Sequence, residues 1–379
     1  NLRDTEATGA LLEKLREEFD QHPIGLAPWK AYSPASIAKA YLTEMGIGSP
    51  RFRFSGIGNR FLGRSMVAYY GGRAEARIRK VPVPVVDTDF VSMYPTVNVL
   101  MSNWEFITAE EVVLEEATEE VRELLSSTGV DAWFDPINWS KLRFFAAAEP
   151  DGDILPVRAE YGPAPGFNIG LNRFSSETDF VYAGPDLVAS VLLTGKLPKI
   201  KRAWRLVPQG SAENLKEVDL RGSIPVDPSE DDFFRFVIEE RKRVEASTDL
   251  TPEERSQTSK FLKVLANSGS YGIFAEMNRR ELPKKELEPT RIFGLGPSFV
   301  EDLNAPEEPG KFCFPPLAAL ITSGARLMLA LLECSVHELG GSYAYCDTDS
   351  MAIVANQDGG WVECSGGDIY EDGKAGIRV

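Results

Sequence analysis

Two short acidic segments stand out for the chemistry they could perform. Tyr345-Cys346-Asp347-Thr348-Asp349-Ser350 carries two carboxylates two residues apart, lodged between apolar strand patterns at 343–346 and 351–354. A tight turn between buried strands favours Asn-Gly or Asp-Gly. Two acids without a glycine therefore point to local function, with an acidic solvated turn as the competing reading. A second acidic strand end, Asp87-Thr88-Asp89-Phe90, runs into Ser92-Met93-Tyr94-Pro95. If the two ends converge, their carboxylates suit hard divalent cations, which take oxygen ligands. Paired metals about 3.5–4 Å apart can clamp the attacking and leaving oxygens of an in-line phosphoryl transfer. Spacing alone leaves that convergence open.

Other chemistries have little to work with. The only histidines are His22 and His337, and the four cysteines, Cys313, Cys334, Cys346 and Cys364, show no CxxC spacing. Multi-histidine metal centres, zinc ribbons and a disulfide scaffold are thereby excluded, little room remains for Ser-His or Cys-His catalysis, and a reducing compartment is the default. The 379 residues are 43% hydrophobic with a net charge of −16, a globular composition sufficient for two or three compact units. The longest apolar stretch, 314–332, is interrupted by Thr322, Ser323, Gly324 and Arg326 and reads as a buried helix, and no signal segment opens the chain.

The elements that must position these acids read as a mixture of helices and strands. Ala10-Leu11-Leu12, Leu15 and Phe19 recur at helical spacing, and Ser33-Pro34-Ala35-Ser36 starts a second helix through Leu42; both are expected to pack. Short strands are predicted at 51–54 and 66–70. Val81, Val83 and Val85 alternate with Pro82 and Pro84, which predicts an edge or strand-start position before Asp87. Between about 107 and 228 the pattern predicts an acidic helix over 110–125, strands at 154–158 and 167–171, and a helix over 185–193. Helical patterns at 231–247 and 251–271, joined by Thr248-Asp249-Leu250, make a helical hairpin. A basic, proline-broken loop at 279–291 precedes the 314–339 helix and the acidic hairpin. The chain shows no internal repeat.

At this point four segments carry a resemblance. Asp89–Thr96 (DFVSMYPT) resembles motif A of the family B DNA polymerases, and Tyr345–Ser350 (YCDTDS) resembles their motif C. Tyr69-Tyr70-Gly71-Gly72 resembles the Tyr-x-Gly-Gly element that contacts the template strand. The run from Lys263 through Asn267 and Tyr271 to Gly272 is similar to motif B on the second fingers helix. Four motifs in the family's order form a joint signal that any one alone lacks.

The resemblance implies an α+β fold: an antiparallel polymerase palm sheet backed by helices, with the helical hairpin as the fingers subdomain. It implies template-directed DNA synthesis, in which a deoxynucleoside triphosphate joins a primer 3′-end with release of pyrophosphate. Primer-template DNA and deoxynucleoside triphosphates are then the partners, with no membrane and with any terminal or processivity protein unassigned. Asp89 and Asp349 would be the principal ligands of two Mg2+ ions, or Mn2+, with the Phe90 carbonyl completing the shell and Asp347 nearby as a third catalytic carboxylate. Tyr94 takes the place of the ribose-packing tyrosine that selects deoxynucleotides. Lys263 and Asn267, four residues apart on one helix face, would meet the triphosphate and the nucleotide. Arg241, in Arg241-Lys242-Arg243, would be a second phosphate ligand, and Tyr69, Gly71, Gly72 and Tyr271 would contact DNA. The net charge opposes a nucleic-acid partner, but the acids gather at 110–123, 301–308 and the C-terminal tail. Basic stretches at 73–80, 196–205 with Trp204 interleaved, and 279–291 could line a strand path.

Two departures from the family pattern carry expectations of their own. Tyr271 follows Asn267 by four residues instead of three, which a single-turn π-bulge could absorb. Asp89 and Lys263 are separated by 263 − 89 = 174 residues, which implies an inserted element. The expected organisation is a helical segment at 1–50 that ends an upstream exonuclease domain, with Asn1-Leu2-Arg3-Asp4 resembling the tail of a Tyr-x-x-x-Asp motif. A palm part at 51–106 follows, then a palm-associated region with the insertion at 107–230, for which protein priming is one role. Fingers occupy 231–275, and 276–379 completes the palm without a thumb. The expected location is cytoplasmic or nucleoid-associated in a prokaryote or phage, and intracellular otherwise. Two alternatives remain: a two-metal nuclease or phosphohydrolase, which needs the carboxylates but not Tyr94, Lys263 or Asn267, and a catalytically silent DNA-binding remnant.

Overall fold

The computed structural model describes residues 2–160, 167–355, 360–363 and 369–378; Cys364 lies outside them. Its centre is the helix Pro315–Glu338, apolar on nearly every face and therefore buried nearly all round. Two prolines occupy its first turn, where the missing N–H groups cost nothing. By length and composition this helix could cross a membrane, but it lies in the protein core.

Every sheet pairing joining the described strands is antiparallel, so the chain is α+β, as the sequence implies. One four-stranded sheet runs in the order Ala74–Ala76, Tyr343–Asp347, Ser350–Val354, Val85–Asp89. Val85–Asp89 starts directly after Pro84 and lies at the sheet edge, where the proline alternation predicted it. A second sheet runs Glu111–Glu116, Lys199–Gln209, Phe144–Glu149, Phe180–Ala183. Its inner strand buries both Phe144 and Phe145 completely, each contributing about 1.5–3 kcal/mol. Helix Gly184–Thr194 packs on the core helix and against strand Asp151–Glu160.

The helical hairpin comprises Phe233–Ala246 and Pro252–Ser270. Asp232 caps the first helix by accepting from the Phe234 and Arg235 amides. Thr251 and Glu254 form a reciprocal capping box on the second.

Several expectations need correction. Residues 51–54 form a helical turn, Pro50–Arg53, not a strand: Pro50 presets the first helical residue, and the Arg53 guanidinium donates to the carbonyls of Ile107 (2.9 Å) and Ala109 (2.5 Å). The strand predicted at 66–70 is the end of helix Asn59–Val67 and the coil after it. The acidic helix over 110–125 is a strand, Glu111–Glu116, followed by helix Thr118–Ser126. Its valines find a partner strand in Lys199–Gln209, and that pairing overrides the helical preference of the glutamates. The basic segment at 279–291 is a loop over 280–287, as expected, but its ends enter two β-ribbons, Met277–Arg279 with Glu307–Pro309 and Glu288–Ile292 with Phe299–Leu303, pinned together by Arg280 on Glu288 and Glu308. Helix Leu2–Phe19 forms as expected, but its apolar stripe does not pack: Leu11, Leu12 and Leu15 are 57–60% exposed.

Candidate active site

Register brings the two acidic strand ends together. Asp89 is paired with Ser350, and Ser350 with Asp347. Directly paired residues point to the same face, so Asp89 and Asp347 flank Ser350, with Cα atoms about 10 Å apart across two inter-strand steps. Asp349 sits in the two-residue turn between Asp347 and Ser350. Its carbonyl accepts from the Phe90 amide (2.9 Å), and its own amide donates to the Asp347 carbonyl (2.7 Å). The turn is held under strain: Thr348, a β-branched residue, has φ +61°, a left-handed conformation costing about 1–3 kcal/mol. The Thr348 amide donates to the Arg73 carbonyl at 2.8 Å, which fixes the turn. Ser92, just past Asp89, is likewise left-handed at φ +51°.

The electrostatics follow from this crowding. Partial burial, then the negative charges of Asp89 and Asp347, push the Asp349 carboxyl above its ordinary value, and Lys263 opposes them. Asp87, on the same strand, accepts from the Tyr345 hydroxyl at 3.2 Å. Among the described residues no group of three or more His, Cys, Asp or Glu is placed to hold a metal ion. Asp89 and Asp349 instead bring two carboxylates close enough for one to raise the pKa of the other, with the Phe90 amide bonded to the Asp349 carbonyl. Mg2+ is usually held by one or two carboxylates and completed by phosphate and water, so this donor set fits it. The unrelieved repulsion around Asp349 is what a bound cation would remove.

The other resemblance-bearing segments close around the same place. Gly72 lies against the acidic turn: a Cβ there would stand 2.8 Å from the Thr348 side chain, so close approach of the two segments requires glycine. The Tyr70 and Gly71 carbonyls accept from Arg326 Nη1 at 3.1 and 2.5 Å. Arg326, almost wholly buried in the core helix, is clasped by both carboxylate oxygens of Asp186 at 2.8 Å each. Arg158, from the hairpin strand Asp151–Glu160, donates to the Tyr69 carbonyl and stacks 4.6 Å over the Tyr70 ring. The Tyr94 and Tyr271 rings lie 4.3 Å apart. Burial first, then Tyr271, Tyr69 and Asp349, drive the Tyr94 phenol far up. Residues from three distant segments, Tyr69, Tyr94 and Tyr271, thus share one neighbourhood beside Asp349.

The helical hairpin contributes Lys263, exposed and near enough to Asp349 to influence its charge, and Asn267 one turn further along. The extra motif B residue is not absorbed by a π-bulge. Pro252–Ser270 is α-helical throughout, and Tyr271 leaves it at φ −145°. The helix simply ends one residue before the tyrosine. Arg241 donates from Nε to Glu245 (3.0 Å) and to the Ser259 hydroxyl (3.3 Å), and Ser259 donates to Glu245 (2.6 Å). It therefore joins the two hairpin helices as it stands. Beside it a cavity of about 530 Å3 is lined by Glu245, Arg255, Lys260 and Lys263.

Sequence reasoning missed two supports. Arg326 was noted only as an interruption of an apolar run, yet a cation inside a buried helix requires a partner, and that signal was present. Arg73 donates to Glu333 (2.7 Å) and to the Tyr343 hydroxyl (2.8 Å), tying the strand beside the acidic hairpin to the core helix. Nothing in the local sequence marks that pair, which is 260 residues apart.

No protein-family model and no curated protein matches the chain. Among solved structures it is similar to Phi29 DNA polymerase complexed with primer-template DNA and incoming nucleotide substrates. There the identity is 14% and the TM-score 0.44, over 92% of this chain and 52% of that one. An orthorhombic crystal form of Phi29 DNA polymerase gives 14% identity and a TM-score of 0.45 over 86% and 49%, and its complex with single-stranded DNA gives 15% and 0.42 over 86% and 48%. The chain spans about half the length of these solved chains, and the chemistry of the site rests on the residues described above.

Proposed function

We propose that this chain carries the nucleotidyl-transfer site of a template-directed DNA polymerase of the family B type. The observation that supports this reading is the strand register that sets Asp89 and Asp347 on either side of Ser350, with Asp349 in the adjoining turn under the influence of Lys263.

Asp89, Asp349 and the Phe90 carbonyl would hold Mg2+ (or Mn2+), which when bound would supply charge neutralisation and lower the pKa of a coordinated hydroxyl. The primer 3′-oxygen forms a bond to the α-phosphorus of a deoxynucleoside triphosphate, the bond to the β-phosphate oxygen breaks, and pyrophosphate leaves; the hydroxyl proton passes to solvent. Lys263 meets the triphosphate as a point charge at the mouth of the basic cavity. Arg241 reaches phosphate only by exchanging Glu245 for it. Tyr94, braced by Tyr271, presents a ring edge to the sugar and disfavours a 2′-hydroxyl. Asn267 lies beside the nucleotide. Tyr69, Gly71, Gly72 and Tyr271 guide the template, held in place by Arg326 and Arg158. Residues 231–275 act as fingers above this palm.

Mg2+-dependent primer extension by a protein containing the whole chain, set beside its Asp349→Ala variant, tests the proposal. Extension that falls at least a hundredfold in the variant is expected. Full retention, or strand degradation in place of extension, overturns it.

A further inference from the structure

A cavity between helix Asn59–Val67 and the second sheet takes no part in that reaction. It measures about 460 Å3 and is walled by Phe61, Leu114, Ala147 and Trp204. Arg60, Arg64 and Arg202 open onto it. The Arg64 and Arg202 guanidiniums stand 5.6 and 5.4 Å from the centre of the Trp204 ring, so one indole collects two like charges. That ring is a fixed platform: it is 8% exposed and braced by Phe61 at 6.1 Å.

The cations are unusual in lacking counter-charges. Lys201, also on the cavity, is satisfied by Glu149 at 2.7 Å. No carboxylate forms an ion pair with Arg60, Arg64 or Arg202 among the described residues, and Asp179 is the one acid on the cavity wall. The Nε of Arg64 is buried without a hydrogen-bond partner. Arg60 and Arg202 add like charge to its burial, all of which disfavour its charged form. In a chain with 57 acids and 41 bases, the buried, unpartnered Nε of Arg64 is a cost that a bound anion would relieve, and Arg60 and Arg202, exposed at the same cavity, add positive charge to attract one.

We infer that this cavity binds the phosphodiester backbone of a single nucleic-acid strand. Guanidinium forks match phosphate oxygens. With Trp204 buried beneath its arginines, no ring face is free to stack a base, so the contact is to the backbone and indifferent to sequence. The volume falls within the roughly 300–1,000 Å3 of sites for small groups and suits one nucleotide unit, not a duplex. Arg64 lies in the last turn of helix Asn59–Val67 and Tyr69 follows two residues past its end, so a strand held here lies close in the chain to the Tyr-x-Gly-Gly element. The identity of that strand as template rests on the proposed function; the binding of phosphodiester does not.

The test is fluorescence anisotropy of a labelled single-stranded oligonucleotide against the full chain and its Arg60→Ser/Arg202→Ser variant, titrated over salt, with circular dichroism to check the fold. Both changed residues are exposed. We expect the variant to bind at least tenfold more weakly at low salt, with the slope of log K against log salt shallower by about 1.4, or 0.7 for each lost phosphate contact. Equal affinity and slope overturn the inference. They do so even if calorimetry finds inorganic phosphate bound by the parent and not the variant, since the site would then serve a free anion. A parent that binds the oligonucleotide through these arginines yet extends no primer leaves the inference standing and removes the proposed function.

Discussion

Replacing Asp349 with asparagine removes one negative charge from between two others, and the register gives the size of the effect. Asp349 adjoins Ser350, which Asp89 and Asp347 flank, and both press on its carboxyl; like charges on neighbouring sheet positions stand roughly 6 Å apart. At that distance a like-charge pair costs about 0.7 kcal/mol in water and about 2.8 at an effective dielectric of 20. Asp89 and Asp347 are exposed, so the aqueous figure applies, reduced by physiological salt; the two pairs together come to about 1 kcal/mol. A chain of 379 residues unfolds with an entropy of about 0.8 kcal/mol/K, so in EDTA at pH 7.5 Asp349→Asn melts about 1 °C above the parent. The sign reverses with metal. Ten millimolar Mg2+ on a site of about 1 mM affinity adds about 1.4 kcal/mol, near 2 °C, to the parent, and nothing to the variant. Acidity gives a further check: because the Asp349 carboxyl is raised in the folded chain, the metal-free penalty vanishes once pH falls below the ordinary carboxylate range and grows as pH rises through the raised value. Scanning calorimetry in EDTA and in Mg2+ reads all three. An equal Mg2+ gain in both proteins, or a variant that melts lower in EDTA, refutes the reasoning.

Three further outcomes follow from other parts of the structure. Arg326→Met strands the Asp186 carboxylate in the core and should cost about 3–5 kcal/mol in urea unfolding, while Arg326→Met with Asp186→Leu recovers most of it; a double variant no more stable than the single one contradicts the pairing. Tyr94→Val in a protein active in extension should raise ribonucleotide incorporation at least tenfold relative to deoxynucleotide. Unchanged discrimination removes Tyr94 as the sugar gate. His22 is held below its ordinary pKa by burial first and then by Arg221, and its Nδ1 lies 2.6 Å from the Tyr41 hydroxyl. A depressed base favours the fold above the unfolded value of about 6.5 and loses that contribution as pH falls through the folded value. Stability should therefore drop as pH falls below about 6.5, and a His22→Phe chain should show a shallower fall.

The part of the site carried by short-range patterning was legible. Proline before Val85 marked an edge strand, and the missing glycine between Asp347 and Ser350 set that turn apart from ordinary turn chemistry; the strain the turn carries, Thr348 at φ +61°, shows only in the structure. Helical patterns at 231–247 and 251–271 marked the hairpin, found as Phe233–Ala246 and Pro252–Ser270. What stayed hidden depends on partners distant in sequence. Glu111–Glu116 is a strand because Lys199–Gln209 pairs with it, and no window around residue 110 contains that information. Arg51-Phe52-Arg53-Phe54 alternates like a strand, yet Arg53 finds its acceptors at Ile107 and Ala109, and a helical turn delivers it there. The exposed stripe of Leu2–Phe19 has the spacing of a packing helix; periodicity reports that a face is apolar, not that anything covers it.

The central claim is that Asp89 and Asp349 share a divalent cation. Mn2+ titration followed by electron paramagnetic resonance, with a deoxynucleoside triphosphate present, addresses it directly through the parent chain, Asp89→Asn and Asp349→Asn. The account predicts a protein-bound Mn2+ signal in the parent that weakens at least tenfold in each single variant. Undiminished Mn2+ binding in either variant contradicts it.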